Sequence, residues 1–135
     1  MLTALSIMVL LLAVAIPTYR TAIPNIKLQN TANEMMDSLQ EARQKTVTEQ
    51  SVYFIRFFDL EDKYQMIKQD GNEIIAETIL DAEVDLEEIT GFTDNQDAVF
   101  NFAGAISSAG EVKLINSKGK AALVSVRPSG FIRKE

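Results

Sequence analysis

The sequence contains neither histidine nor cysteine. A His-based triad, a Cys nucleophile, a disulfide, c-type haem attachment, and zinc or iron–sulfur sites built on Cys and His are therefore excluded. Carboxylate acid/base work and Ser–Lys pairs are what remains of common enzyme chemistry. No nucleophile or shaped pocket is signalled for either, so the chain reads as a non-enzyme with no cofactor and no catalytic or metal-binding residue assigned. The missing cysteines leave the redox compartment open. A third absence is local: residues 1–19 carry no charge, and Arg20 is the first charged side chain. The 135 residues fit one domain, and 47% hydrophobic with 24% charged residues argues against disorder. A greasy terminus is thus joined to a polar remainder.

The net charge of −6 is spread unevenly. Residues 59–97 hold 13 acids and 2 bases, residues 1–58 hold 4 acids and 5 bases, and residues 111–135 hold 2 acids and 6 bases. An acidic chain is a poor general nucleic-acid binder, because neutralising phosphates takes clustered Lys and Arg. Only the C-terminal segment offers a local basic patch.

Met1 to Ile16 reads MLTALSIMVLLLAVAI. As a helix it rises about 24 Å, against a hydrocarbon core of about 30 Å. Nine of its residues are Leu, Ile or Val, and at about −0.5 kcal/mol each they favour insertion by about 4 kcal/mol before Thr3 and Ser6 subtract a little. Three readings compete. A buried core helix seldom lacks a polar face over four turns. A cleaved signal peptide has a small-x-small site in Ala13-Val14-Ala15, but no basic n-region, and Pro17 would fall second after the cut. A membrane helix fits best.

Leu28, Ala32, Met35, Leu39 and Ala42 then recur at spacings of four, three, four and three, the period of one helical stripe. Asn33, Glu34, Asp37, Gln40, Glu41 and Gln44 lie mostly off it, so the stripe is expected to dock on the chain's own sheet. Pro17 and Pro24 between the two halves each remove an amide donor, predicting a bend or local unwinding. The simplest description is one helix of about 50 residues, apolar in 1–22 and amphipathic in 23–50.

Leu10-Leu11-Leu12-Ala13-Val14-Ala15-Ile16-Pro17-Thr18-Tyr19 resembles the N-terminal helix of type IV pilins and pseudopilins, whose apolar stretch ends in the same Ala-Ile-Pro-x-Tyr manner. The run Ala32-Asn33-Glu34 through Leu39 to Ala42-Arg43 resembles the amphipathic half of the minor pseudopilin H, or FimT-like, branch. In that alignment the family's Glu falls immediately upstream of Met1. The resemblance therefore implies a longer precursor, cut by a prepilin peptidase and N-methylated. Arg20 and Lys27 alone would favour a cytoplasmic C-terminal domain, whereas the family's basic leader implies the opposite orientation: a single-pass inner (cytoplasmic) membrane helix with the domain on the periplasmic or extracellular side.

From Ser51 the period becomes that of strands. Ser51–Phe58 and Lys63–Gln69 flank the acidic turn Asp59-Leu60-Glu61-Asp62, and Asp70-Gly71-Asn72 leads into Glu73–Leu80. Further strands are expected at Ala98–Phe102, Glu111–Asn116 and Ala121–Arg127. Helix followed by strands reads as α+β, a long helix packed on an antiparallel β-sheet domain over 51–135.

Two clusters are candidate sites. Asp81, Glu83, Asp85, Glu87 and Glu88 could ligate calcium, but they lack the Asp-x-Asp-x-Asp-Gly spacing and read better as hydrated acids on an exposed edge. Lys118, Lys120, Arg127, Arg133 and Lys134 form the basic end. FimT-like minor pilins are implicated in DNA binding through a C-terminal Gly-Arg-x-Arg; Gly130-Phe131-Ile132-Arg133 keeps the glycine and last arginine but has Phe131 at the first arginine position.

The resemblance implies a minor pilin-like structural subunit of a type II secretion pseudopilus or type IV pilus-like filament, with other pilin-like subunits and the membrane as partners. Leu5, Val9, Leu12, Ile16 and Pro17 are the expected membrane and assembly residues. A DNA-binding minor pilin for DNA uptake is the alternative, and a secreted β-domain with a cleaved signal peptide the second. Intact-mass and N-terminal analysis of the protein made from its native locus is expected to find a methylated amine a few residues before Met1. A mature chain beginning at Ile16 would instead establish signal-peptide cleavage.

Overall fold

The structure, a computed structural model, describes residues 2–135, the side chains of 14–21 lying outside the described set. Among the described residues one α-helix precedes eight strands, with a single 3-10 turn at Asp70–Asn72. The helix is α1 (Leu2–Glu49), and the strands are β1 (Tyr53–Phe58), β2 (Lys63–Lys68), β3 (Glu73–Ile79), β4 (Val84–Gly91), β5 (Asp97–Val99), β6 (Gly110–Asn116), β7 (Ala121–Val126) and β8 (Ile132–Lys134). The local unwinding weighed at the prolines, beside a bend, does not occur: α1 is continuous from Leu2 to Glu49. Pro24 removes one rung of a 48-residue ladder. It is also buried, so packing against the β-strands holds the helix where that rung is missing.

The docking stripe is where its spacing places it. Leu28, Ala32, Met35, Leu39 and Ala42 are all fully buried. Thr46, four residues on, is buried with them and turns the chain. Its hydroxyl donates to the Ala42 carbonyl at 2.8 Å and accepts the Tyr53 amide at 3.0 Å, tying the last turns of α1 to the first residue of β1. The helix ends at Gln50 in the left-handed region (φ 52°), with its side-chain amide on the Val47 carbonyl.

The strands form two antiparallel four-stranded sheets rather than one. The first has the order β3-β2-β1-β5, the second β4-β6-β7-β8. The chain completes three strands of the first sheet, crosses to β4, returns for β5, and finishes in the second sheet. Ile55, Phe57, Tyr64 and Met66 from the first sheet meet Val84, Leu86, Val112, Leu114 and Val124 from the second in one core that includes the helical stripe. Phe57 lies 5.5 Å from Phe92 and 6.2 Å from Tyr64, ring centre to ring centre.

Three strand expectations change. The acidic stretch 81–88 contains most of β4, whose Val84 and Leu86 are buried while Asp85, Glu87 and Glu88 face solvent on a sheet edge. Its charges had masked the apolar alternation. Ala98–Phe102 contracts to β5, with Phe100 reaching Ile106 as an isolated bridge. The short β8 is an addition, pairing Ile132 with Val126.

Full burial of Leu39 makes it the test of this packing. Leu39→Ala is expected to cost about 2–5 kcal/mol in chemical denaturation. Leu39→Asp, which places an unpaired carboxylate in the core, should abolish cooperative unfolding; an unchanged melting temperature would overturn the docking.

Candidate functional site

Leu5, Val9 and Leu12 are 67%, 60% and 59% exposed. Leu2, Ile7, Met8, Leu10 and Leu11 are exposed as well, so this part of α1 presents apolar side chains on every face. Its Ser6 hydroxyl is satisfied internally, donating to the Leu2 carbonyl at 2.8 Å. The side chains of Ile16 and Pro17 lie outside the described residues. Among the described side chains of α1, Pro24 is the first that is buried. Among the described residues no helix is long and apolar enough to cross a membrane.

Where α1 meets the strands, polar side chains hold it. The Asn116 side-chain amide donates to Asn25 Oδ1 at 2.9 Å, while its own Oδ1 accepts the Lys118 and Lys120 amides and closes the β6–β7 turn. Lys27 lies 3.6 Å from Asp81 and 4.0 Å from Glu83. Lys134 donates to Gln29 at 2.8 Å and Asn33 at 2.9 Å.

At the other end of the docked helix, Arg43 Nε donates to the Gly104 carbonyl at 2.8 Å. Gly130 (φ 87°) packs so closely that an added Cβ would overlap that carbonyl oxygen and lie 3.1 Å from Arg43 Nε. Helix, 101–106 loop and β7–β8 turn therefore converge on one guanidinium. The glycine of the Gly-Phe-Ile-Arg run is fixed by this approach.

The outer face of the first sheet carries a polar row across all four strands, Asp97–Arg56–Gln65–Glu77. Arg56 grips Asp97 with two bonds, 2.8 and 3.0 Å, and stands 5.4 Å over the Phe54 ring. The Asp97 bond raises the Arg56 pKa. Glu77 accepts from Gln65 and is approached by Lys63 at 3.5 Å, the Gln65 bond leading the causes that lower its pKa. A carboxylate depressed in this way contributes stability above its unfolded pKa and loses it as the pH falls. Lys63 is raised by its bond to Glu61, Tyr64 by burial, and Tyr53 by its bond to Glu49.

The basic candidates are dispersed. Lys118 and Lys120 sit at the tip of the β6–β7 hairpin, and Arg127 just beyond the opposite end of β7, about 20 Å away at strand rise. Lys134 turns to α1. Arg127 and Arg133 do share an open groove of about 420 Å3, but Glu111 and Glu135 also line it, and Arg133 pairs with Glu135 at 3.1 Å. Of the acidic candidates, Asp81 and Glu83 face Lys27, and Glu87 pairs with Lys113 at 3.1 Å. Among the described residues no group of three or more Asp or Glu is arranged to hold a metal ion.

The architecture has close counterparts. The minor pseudopilin EpsH from the type 2 secretion system of Vibrio cholerae superimposes with a TM-score of 0.69 over 81% of this chain and 96% of its own, at 11% identity. The fold is that of minor pilins and pseudopilins. The type IV minor pilin FimU of Pseudomonas aeruginosa matches at a TM-score of 0.64, covering 82% of this chain and 90% of its own at 18% identity. No protein-family model and no curated protein matches the sequence. The likeness thus resides in a pilin-like arrangement of helix and two sheets.

Sequence reasoning assigned no role to Thr46, Asn116 or Arg43. Thr46 continues the four-three spacing and was hidden by its hydroxyl. Arg43 entered only as the last residue of the Ala-Asn-Glu to Ala-Arg run, and its contact was hidden because the partner is a backbone carbonyl 61 residues away. Arg43→Ala is expected to cost about 1–3 kcal/mol and Gly130→Ala at least about 1 kcal/mol. Because the two act on one contact, the double variant in urea denaturation should cost less than the sum.

Proposed function

We propose that the chain is a minor pilin-like structural subunit, anchored in a membrane by the apolar half of α1 and assembled through that half into a filament. The observation that carries this reading is the exposure of Leu5, Val9 and Leu12 on the first turns of α1, residues 2–13, which present apolar side chains on every face outside the folded core. An apolar surface of this kind needs lipid or other protein around it. The uncharged run of residues 1–19 corresponds to about 28 Å of helix, close to the hydrocarbon thickness. The pilin-like fold supports the same reading.

The mechanism follows from one helix serving two solvents. In the monomer the apolar residues are solvated by lipid tails; in the filament they pack against the same segments of neighbouring subunits, where van der Waals contact and released lipid favour association. Leu5, Val9, Leu12 and Ile16 form the assembly stripe around 1–22, residues 23–50 dock the domain, and 51–135 is displayed outward. The domain faces the periplasmic or extracellular side, the partners are other pilin-like subunits, and no catalytic step is involved. Arg127 and Arg133 share their groove with Glu111 and Glu135, which favours the structural reading over DNA capture.

Val9→Arg separates anchoring from folding. An arginine in the span costs about 2.5–3.5 kcal/mol of insertion, so the variant is expected to leave the membrane fraction and the filaments while the melting temperature stays at the parent value. Retention of Val9→Arg in membranes and filaments would overturn the proposal.

A further inference from the structure

The two sheets have four outer edges, and among the described residues three of them are capped, lined with charge, or short. On β5, the Val99 carbonyl accepts the Ser107 amide at 2.8 Å and the Asp97 carbonyl accepts the Thr93 amide at 3.3 Å. On β4, the Leu86 amide is taken by Asp62 Oδ1 at 2.9 Å. β8 is three residues long and lies against α1, where Lys134 reaches Gln29 and Asn33. Such features keep strand edges from pairing with other chains.

The fourth edge, β3, is open. It is seven residues long, Glu-Ile-Ile-Ala-Glu-Thr-Ile, with no lysine and no proline, and it pairs only with β2. Ile74 is 56% exposed and Ile79 71%. Leu60, in the adjoining β1–β2 turn, is 94% exposed. Glu77, the acid in the middle of the strand, is turned back to Gln65 and Lys63. A bulge opposite Met66 and Ile67 interrupts the register once, leaving Ala76–Ile79 in regular pairing.

We propose that β3 is a docking edge that accepts an extended, basic segment of a neighbouring, different subunit as a fifth strand of the first sheet. The edge supplies unpaired backbone groups for strand addition and isoleucines for alternate side chains. Charge selects the occupant: Asp70 and Glu73 lie at one end of β3 and the β1–β2 turn, with Asp59, Glu61 and Asp62, at the other, outnumbering Lys63 and Lys68 of β2, which stand opposite Ile79 and Glu73. A second copy of this chain does not fit. The C-terminal segment 111–135, with 6 bases to 2 acids its most basic stretch, is folded into the second sheet, and there Arg133 and Lys134 are held by Glu135, Gln29 and Asn33. This inference rests on the filament reading for the source of the segment, but its physical content is strand addition at β3.

The test uses the full chain in detergent micelles and a fluorescent nine-residue peptide of alternating valine and lysine. Saturable binding is expected, together with slowed hydrogen exchange across 73–79. The double variant Ile74→Lys/Ile79→Lys, exposed positions at which folding should persist, should weaken binding by at least about tenfold with an unchanged melting temperature. A peptide N-methylated at alternate amides, with the same charge, should not bind. Absent binding, or equal binding of the N-methylated peptide, would overturn strand addition; slowed exchange of β3 that depends on protein concentration without peptide would make a second copy the occupant and overturn the assignment. None of these outcomes depends on membrane retention of the Val9→Arg variant, so failure here and failure of the filament reading are distinguishable.

Discussion

The docking of one helical stripe, Leu28 to Thr46, into the space between two small sheets is the contact on which the rest of the structure depends. Neither sheet closes a core alone: each has four strands, and the first contributes only three residues in β5. The fully buried Leu28, Met35 and Leu39 supply the third wall, each contributing about 1.5–3 kcal/mol by leaving water. Polar contacts then fix position along the helix rather than supply most of the stability. Asn25 with Asn116, Lys134 with Gln29 and Asn33, and Arg43 with Gly104 fall at successive points along it. A slide by one turn would take Arg43 away from the Gly104 carbonyl.

The amino-acid sequence disclosed the parts governed by local period. The stripe at four-three spacing, the β1–β2 hairpin and the alternation of Val112, Leu114, Val124 and Val126 were legible because each reflects one element meeting one apolar surface. Division into two sheets was not, since it depends on which strands pair at long range. β4 was obscured by its own exposed acids. Its two buried positions, Val84 and Leu86, alternate only briefly before a bulge near Glu87 breaks the pattern.

The candidate site was legible in a similarly uneven way. Apolar composition marked Leu5, Val9 and Leu12, and the structure leaves them bare. The basic residues near the C-terminus looked like one patch because they are close in sequence, yet a β-strand carries its two ends about 20 Å apart and turns alternate residues to opposite faces. Arg133 and Lys134, adjacent in the chain, consequently serve a groove and a helix respectively. The polar row Asp97–Arg56–Gln65–Glu77 exists only through register, which no single segment encodes.

The continuity of α1 has a mechanical consequence. A pull on the apolar end runs along the axis of an uninterrupted 48-residue rod, and the domain is attached along the side of that rod rather than at its tip. Load is therefore applied in shear, to the buried stripe and its flanking side-chain bonds together, instead of peeling them one after another. A pull along the axis would thus meet all of these contacts together, whereas a force across the axis would meet them singly.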